Sequence, residues 1–122
     1  MQHILVIDDD PVVLAMAQDF LEEAGYRVST AKDAIYSNDV IYGVDPPDLI
    51  LMDVMMPLMS GDKKVRALKR RDRSSTIPVL LISGKEESEL QRLAGEVGAD
   101  GYLTKPFNAA KLVDSVRRYL PG

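Results

Sequence analysis

His3-Ile4-Leu5-Val6-Ile7-Asp8-Asp9-Asp10-Pro11 sets the architecture of this chain. Five residues from His3 to Ile7 form a nearly continuous apolar run, the pattern of a strand buried on both faces of a parallel sheet rather than on one. The run then stops in three acids and a proline. Pro11 suits the first position of a helix and Asp10 its N-cap, and Val13, Met16, Ala17, Phe20 and Ala24 recur at helical spacing until Gly25. One strand followed by one helix is a βα unit, and four more follow.

The second strand is read at Tyr26–Thr30 and the third at Asp48–Met52, running into Asp53. Ile77–Ile82 forms the fourth, bounded by Pro78 and by Ser83-Gly84, and Ala99–Leu103 the fifth. Between the second and third strands, Ile35, Val40 and Ile41 make no clean stripe, so residues 34–43 are expected to form a short or irregular helix. The third helix spans Asp62–Arg71, with Val65 and Leu68 inward and a basic outer face. Leu90, Leu93, Ala94 and Val97 line the fourth before Gly98. Asn108 caps the last, whose inner residues are Leu112, Val113, Val116 and Leu120. The expectation is a doubly wound α/β sheet in a single domain over residues 1–122.

Composition narrows the function. Fifteen basic against nineteen acidic residues leave a charge of −4, which gives no general reason to approach nucleic acid. The absence of cysteine excludes a disulfide framework, thiolate metal sites and thiol catalysis, and fits a reducing compartment. No apolar run approaches the roughly 20 residues of a membrane span, and the first ten residues do not resemble a signal peptide. A cytoplasmic protein is expected.

Ligands of parallel α/β sheets bind beyond the carboxyl ends of the strands. Those ends deliver Asp8 and Asp9, Asp53, Ser83 and, just after the fifth strand, Lys105. Three carboxylates and one ammonium sum to −2, a crowding that one divalent cation relieves. The available ligands are oxygens, which selects a hard ion such as Mg²⁺, and Mg²⁺ held by few carboxylates points to phosphate chemistry. Ser83 and Lys105 remain to hold a phosphoryl group, with one carboxylate as the nucleophile.

At these residues the chain resembles the receiver domain of two-component response regulators, of the chemotaxis-regulator-like kind. Four motifs carry the resemblance: Ile4 to Pro11; Asp48-Leu49-Ile50-Leu51-Met52-Asp53-Val54-Met55-Met56-Pro57-Leu58-Met59-Ser60-Gly61; Val79 to Gly84; and Gly98 to Phe107. It implies a flavodoxin-like sheet of order 2-1-3-4-5 with five helices, two on one face and three on the other. It also implies that Asp53 accepts a phosphoryl group from a phosphohistidine of a histidine kinase or phosphotransfer protein. Asp8 and Asp9 then hold Mg²⁺ with Asp53 and the backbone carbonyl of Met55. Ser83 and Lys105 contact the phosphoryl oxygens, Lys105-Pro106 is cis, and Tyr102 is an aromatic switch that fills the space Ser83 vacates. Such a chain is no conventional turnover enzyme, since it catalyses only its own phosphorylation and dephosphorylation. It signals to a downstream protein target or covalent output domain.

Departures from the family pattern fall away from the proposed ligands. Ala34 and Tyr36-Ser37-Asn38 replace the usual start of the second helix, Asp62 stands where an apolar residue is common, and Asp100-Gly101 lacks a second acid found in the winged-helix branch. Pro121-Gly122 leaves no room for an output domain, so a stand-alone or excised receiver is expected. A haloacid-dehalogenase-like phosphatase also opens on an acidic triplet after an apolar strand, but this chain is short for that fold and has no acidic pair after Lys105. A receiver used only as a constitutive binding module tends to lack one of the acids or the lysine, and all are present. The cluster Lys63, Lys64, Arg66, Lys69, Arg70, Arg71 and Arg73 reads as a solvated face, since charges on an exposed helix are the rule, with a docking patch for an acidic partner as the alternative. His3, at the start of a strand, reads as a packing or capping residue rather than one that transfers a proton.

Overall fold

A computed structural model of the chain describes residues 1–56 and 59–120. Pro57 and Leu58 of the third-strand motif, and Pro121-Gly122, lie outside the described residues. Among the described residues the elements alternate as β1 (His3–Ile7), α1 (Pro11–Glu23), β2 (Arg27–Ala31), α2 (Ser37–Ile41), β3 (Leu49–Asp53), α3 (Gly61–Arg70), β4 (Val79–Ser83), α4 (Glu87–Val97), β5 (Gly101–Thr104) and α5 (Ala109–Tyr119). All strand pairs are parallel, in the order β2-β1-β3-β4-β5.

Burial follows from position in that order. Every residue of the central strands β1, β3 and β4 is buried, whereas the edge strands β2 and β5 are half-buried. Alternate side chains of each strand feed two cores. On one face Leu5, Ile7, Ile50 and Leu81 meet α2, α3 and α4 through Ile41, Val65, Leu68, Leu90 and Ala94. On the other, Ile4, Val6, Leu51 and Ile82 meet α1 and α5 through Leu14, Ala17, Leu21, Leu112 and Val116. Two helices therefore cover one face and three the other, as the sequence resemblance implies.

Helix α1 starts as its sequence requires, with the Asp10 carboxylate accepting from Val12 N at 2.9 Å and Pro11 in the first turn. Its buried centre is Leu14, Ala17 and Leu21, so the expected stripe is rotated: Val13, Phe20 and Ala24 flank the core and Met16 is exposed. The helix is apolar around a wide arc, and packing against β1 and α5 selects the Leu-rich part of it.

Strands β2, β3, β4 and β5 each begin one or two residues later than expected. Pro78 lacks an N–H for the ladder, and only its carbonyl takes part, accepting from Ile50 N at 2.9 Å. Ala99 still belongs to the end of α4, donating to Ala94 O at 2.9 Å, while Gly98 turns the chain at φ +81°. Asp48 closes the amino edge of the sheet, its carboxylate accepting from His3 N at 2.7 Å. The His3 ring is buried, with Nε2 hydrogen-bonded to Ser29 Oγ at 2.7 Å, a structural role.

The short second helix is borne out as a five-residue α2, preceded by Asp33, whose carboxylate accepts from Ile35 N and Tyr36 N at 2.9 Å each. The reading of α3 needs correction. Val65 and Leu68 point inward as expected, but Lys64 is buried as well, and its ammonium donates to Asn38 Oδ1 of α2. Lys69 also turns back to the fold, donating to Ile77 O at 2.9 Å and Asp100 Oδ2 at 2.8 Å. A lysine's long stem allows such a return, which residue type alone does not reveal. No helix among the described residues is long and apolar enough to cross a membrane.

Candidate functional site

Strand register assembles the site. Ile7 of β1 faces Met52 of β3, so one step further Asp8 and Asp53 stand side by side at the carboxyl edge. Ser83 of β4 faces Thr104 of β5, and Lys105 follows at once, its N–H donating to Ser83 O at 2.7 Å. Asp8, Asp53 and Ser83 are buried, and Asp9 is exposed.

The Lys105 ammonium lies 2.7 Å from Asp8 Oδ2 and 3.5 Å from Asp53 Oδ1. Asp8 Oδ1 accepts from Asp10 N at 2.9 Å, and Met55 N donates to Asp53 Oδ1 at 3.4 Å. Asp8 Oδ2 is fully buried, and the Lys105 ammonium 2.7 Å away is its partner. Lys105-Pro106 is cis.

Electrostatics set the protonation. Burial first, and then the negative charge of Asp8, push the Asp53 carboxyl up to about 6, against the opposing pull of Lys105 and the Met55 N–H. Burial works against the charge on Lys105, but the contact with Asp8 and the charges of Asp53 and Asp8 outweigh it and hold the ammonium above the ordinary lysine range. The site thus has more negative charge than its single lysine can balance.

Asp8, Asp9 and Asp53 can each offer one carboxylate oxygen such that the three atoms lie within 4.8 Å of one another. An all-oxygen donor set and an excess of negative charge over the single lysine fit a small hard divalent cation. Ser83 Oγ accepts from Lys85 N at 3.1 Å, and among the described residues its own hydroxyl hydrogen has no acceptor. A donor is therefore available at this edge.

The other expected site residues stand further out. Met55 is exposed at 67%, tied to Asp53 through its N–H. Tyr102 lies on β5 with its hydroxyl donating to Glu87 Oε1 of α4 at 3.3 Å, on the α4 side rather than in the acidic cluster. Partial burial and the Glu87 carboxylate raise its phenol above the usual range. Sequence reasoning passed over Gly61. A Cβ built there would lie 2.1 Å from the carbonyl oxygen of Asp53, and Gly61 N donates to Val54 O at 2.9 Å. Helix α3 thus starts directly against the backbone of Asp53, a contact only glycine permits. Beside Lys105 runs an apolar groove of about 370 Å³ lined by Val13, Met16, Pro106 and Phe107.

With this geometry in place, comparison with known proteins is informative. Residues 4–117 match the model of the response regulator receiver domain family. The chain is 37% identical over 120 residues to the DNA-binding dual master transcriptional regulator RpaA of Synechocystis sp., covering 98% of this chain and 49% of that protein. It is 38% identical over 121 residues to the transcriptional regulatory protein CpxR of Escherichia coli, covering 98% and 50%. The chain spans about half the length of these curated relatives. Among solved structures, the chemotaxis response regulator CheY4 of Vibrio cholerae superposes with a TM-score of 0.90 at 31% identity, covering 98% of both chains.

Proposed function

The chain belongs to the response-regulator receiver domain family, whose general function is to accept a phosphoryl group and switch conformation, and from that premise we propose that Asp53 is the acceptor. The observation that supports this assignment is the Lys105 ammonium placed between the carboxylates of Asp8 and Asp53 at the carboxyl edge of the sheet. The donor is a phosphohistidine on a histidine kinase or phosphotransfer protein. In the transfer an Asp53 carboxylate oxygen forms the new P–O bond, the P–N bond breaks, and the released imidazole takes up a proton. Lys105 and the Ser83 hydroxyl bind the phosphoryl oxygens, the first as a point charge and the second as a hydrogen-bond donor.

Receiver domains generally bind Mg²⁺ in an acidic pocket, and here Asp8, Asp9, Asp53 and the backbone carbonyl of Met55 would hold it. When bound, the ion supplies positive charge for the transferring oxygens. Asp53 must be ionised to attack, and Lys105 favours that form against the burial that opposes it. The apolar groove beside Lys105 offers surface to the protein that brings the donor. Added acceptor oxygens on Asp53 draw the Ser83 hydroxyl inward, and Tyr102 follows, altering the α4–β5 surface read by a downstream protein or a covalent output domain.

Incubation with a small acyl phosphate and Mg²⁺, followed by intact mass, should show one added phosphate. Asp53→Ala should show none. Full labelling of that variant would move the nucleophile elsewhere.

A further inference from the structure

We propose that the outer face of α3 and the turn after it, formed by Lys63, Arg66, Arg70, Arg71 and Arg73, is a docking surface for an acidic segment of a partner protein. Seven of the chain's fifteen Lys and Arg residues fall between positions 63 and 73, in a chain of net charge −4. Lys64 and Lys69 are used by the fold, and the remaining five are exposed. None of the five forms an ion pair among the described residues, whereas Lys69 on the same helix pairs with Asp100. With Asp62 and Asp72 as the acids between positions 62 and 73, this stretch keeps a net positive charge.

Two of the guanidiniums are also held in place. Arg71 lies 4.2 Å and Arg73 5.7 Å from the centre of the Tyr42 ring, and Arg73 donates to Tyr42 O at 3.1 Å. Tyr42 is itself fixed, its hydroxyl 3.0 Å from Ser74 Oγ, which donates to Leu68 O at 2.7 Å. Ordering long cationic side chains before association removes part of the entropy cost of binding, and a planar guanidinium presents paired donors matched to a carboxylate. A solvated face needs no such anchoring.

The surroundings of α3 distinguish among anionic partners. Helix α3 packs beside α4, which opens with the exposed Glu86, Glu87 and Glu89, so a long polyphosphate laid on α3 would run against negative charge. The Tyr42 ring already carries the Arg71 guanidinium at 4.2 Å, so a base stacking on that face would have to displace it. None of the large exposed apolar residues lies on α3 to enter a lipid surface. A short acidic protein segment meets the charge without these conflicts.

The test measures binding of a fluorescent peptide of Glu and Asp to the full chain, with duplex DNA and phosphatidylglycerol vesicles as competing ligands. The peptide should bind at low salt and weaken as salt rises. The triple variant Lys63→Glu, Arg66→Glu, Arg70→Glu should lose about tenfold or more in affinity, and the neutral Gln version a smaller part of it. Reversal of Arg117 and Arg118 on α5 to Glu should change it little. All replaced side chains are exposed, and unfolding curves confirm the folded state of each variant. Equal loss from the α5 variant, tighter binding of DNA or vesicles than of the peptide, or no peptide binding at low salt would overturn the proposal.

Discussion

Replacing Asp53 with Asn tests the charge balance of the site without any phosphodonor. The carboxyl is buried and raised from 3.8 to about 6, a displacement of about two pH units at roughly 1.4 kcal/mol each. Because the folded state holds this proton more tightly than the unfolded chain, wild-type stability attributable to Asp53 is present below about pH 4 and falls as pH rises to about 6. The loss totals about 3 kcal/mol at most, and Asn, which stays neutral at every pH, does not suffer it. Urea denaturation in metal-free buffer should therefore show Asn and wild type nearly equal at about pH 4, with Asn more stable by about 1 to 3 kcal/mol at about pH 7.5. Adding Mg²⁺ should narrow the gap by stabilising the wild type more than the variant. A difference between the two proteins that does not change over this pH range, or an Asn variant weaker at pH 7.5, would refute the account of Asp53 as a carboxylate short of positive charge.

Further expectations follow from single contacts. Asp9→Ala should lower Mg²⁺ affinity by about tenfold or more in a titration followed by protein stability, while leaving the metal-free fold nearly unchanged, since Asp9 is exposed. Gly61→Ala should cost about 3 kcal/mol or prevent folding, because its methyl would meet the Asp53 carbonyl, and denaturation midpoints read this directly. Burial and then Arg71 lower the Lys64 pKa, so wild-type stability should rise as pH climbs toward the ordinary lysine range. Lys64→Met should flatten that rise and be neutral to stabilising by about 1 kcal/mol near neutral pH. A phosphate mimic at Asp53 should shift amide signals of residues 83–89 and of Tyr102 while those of α1 stay still; silence at Tyr102 and α4 would rule out this route for the signal.

The central strands were legible because each is an unbroken apolar run that ends in a polar side chain, and burial on both faces leaves that pattern little freedom. Asp8, Asp53, Ser83 and Lys105 could be gathered at one edge for the same reason: a parallel sheet places all its strand ends together. The edge strands were less legible, since β2 and β5 are half-exposed and their limits depend on which backbone groups find partners, as at Ala99. Lys64 was misread because its partner Asn38 is 26 residues away and nothing local marks the pair. The centre of the α1 stripe was hidden by an excess of apolar residues around the helix, among which packing alone chooses. Gly61 stood in a quoted motif, but its closeness to the Asp53 carbonyl is a tertiary fact.

The bond from Gly61 N–H to Val54 O has a consequence for how this domain can diversify. It ties together the two ends of the segment that leaves β3 and enters α3, so the strand and the helix are held at a fixed spacing. Lengthening a segment whose ends are already fixed costs only a term that grows with the logarithm of its length. Substitutions within it can therefore change the chain beside the site while the carboxylate stays where the sheet puts it. Recognition and chemistry are separable at this joint, and substitutions between positions 56 and 60, which leave Met55 and its bond to Asp53 in place, are the natural way to alter partner choice without rebuilding the acidic cluster.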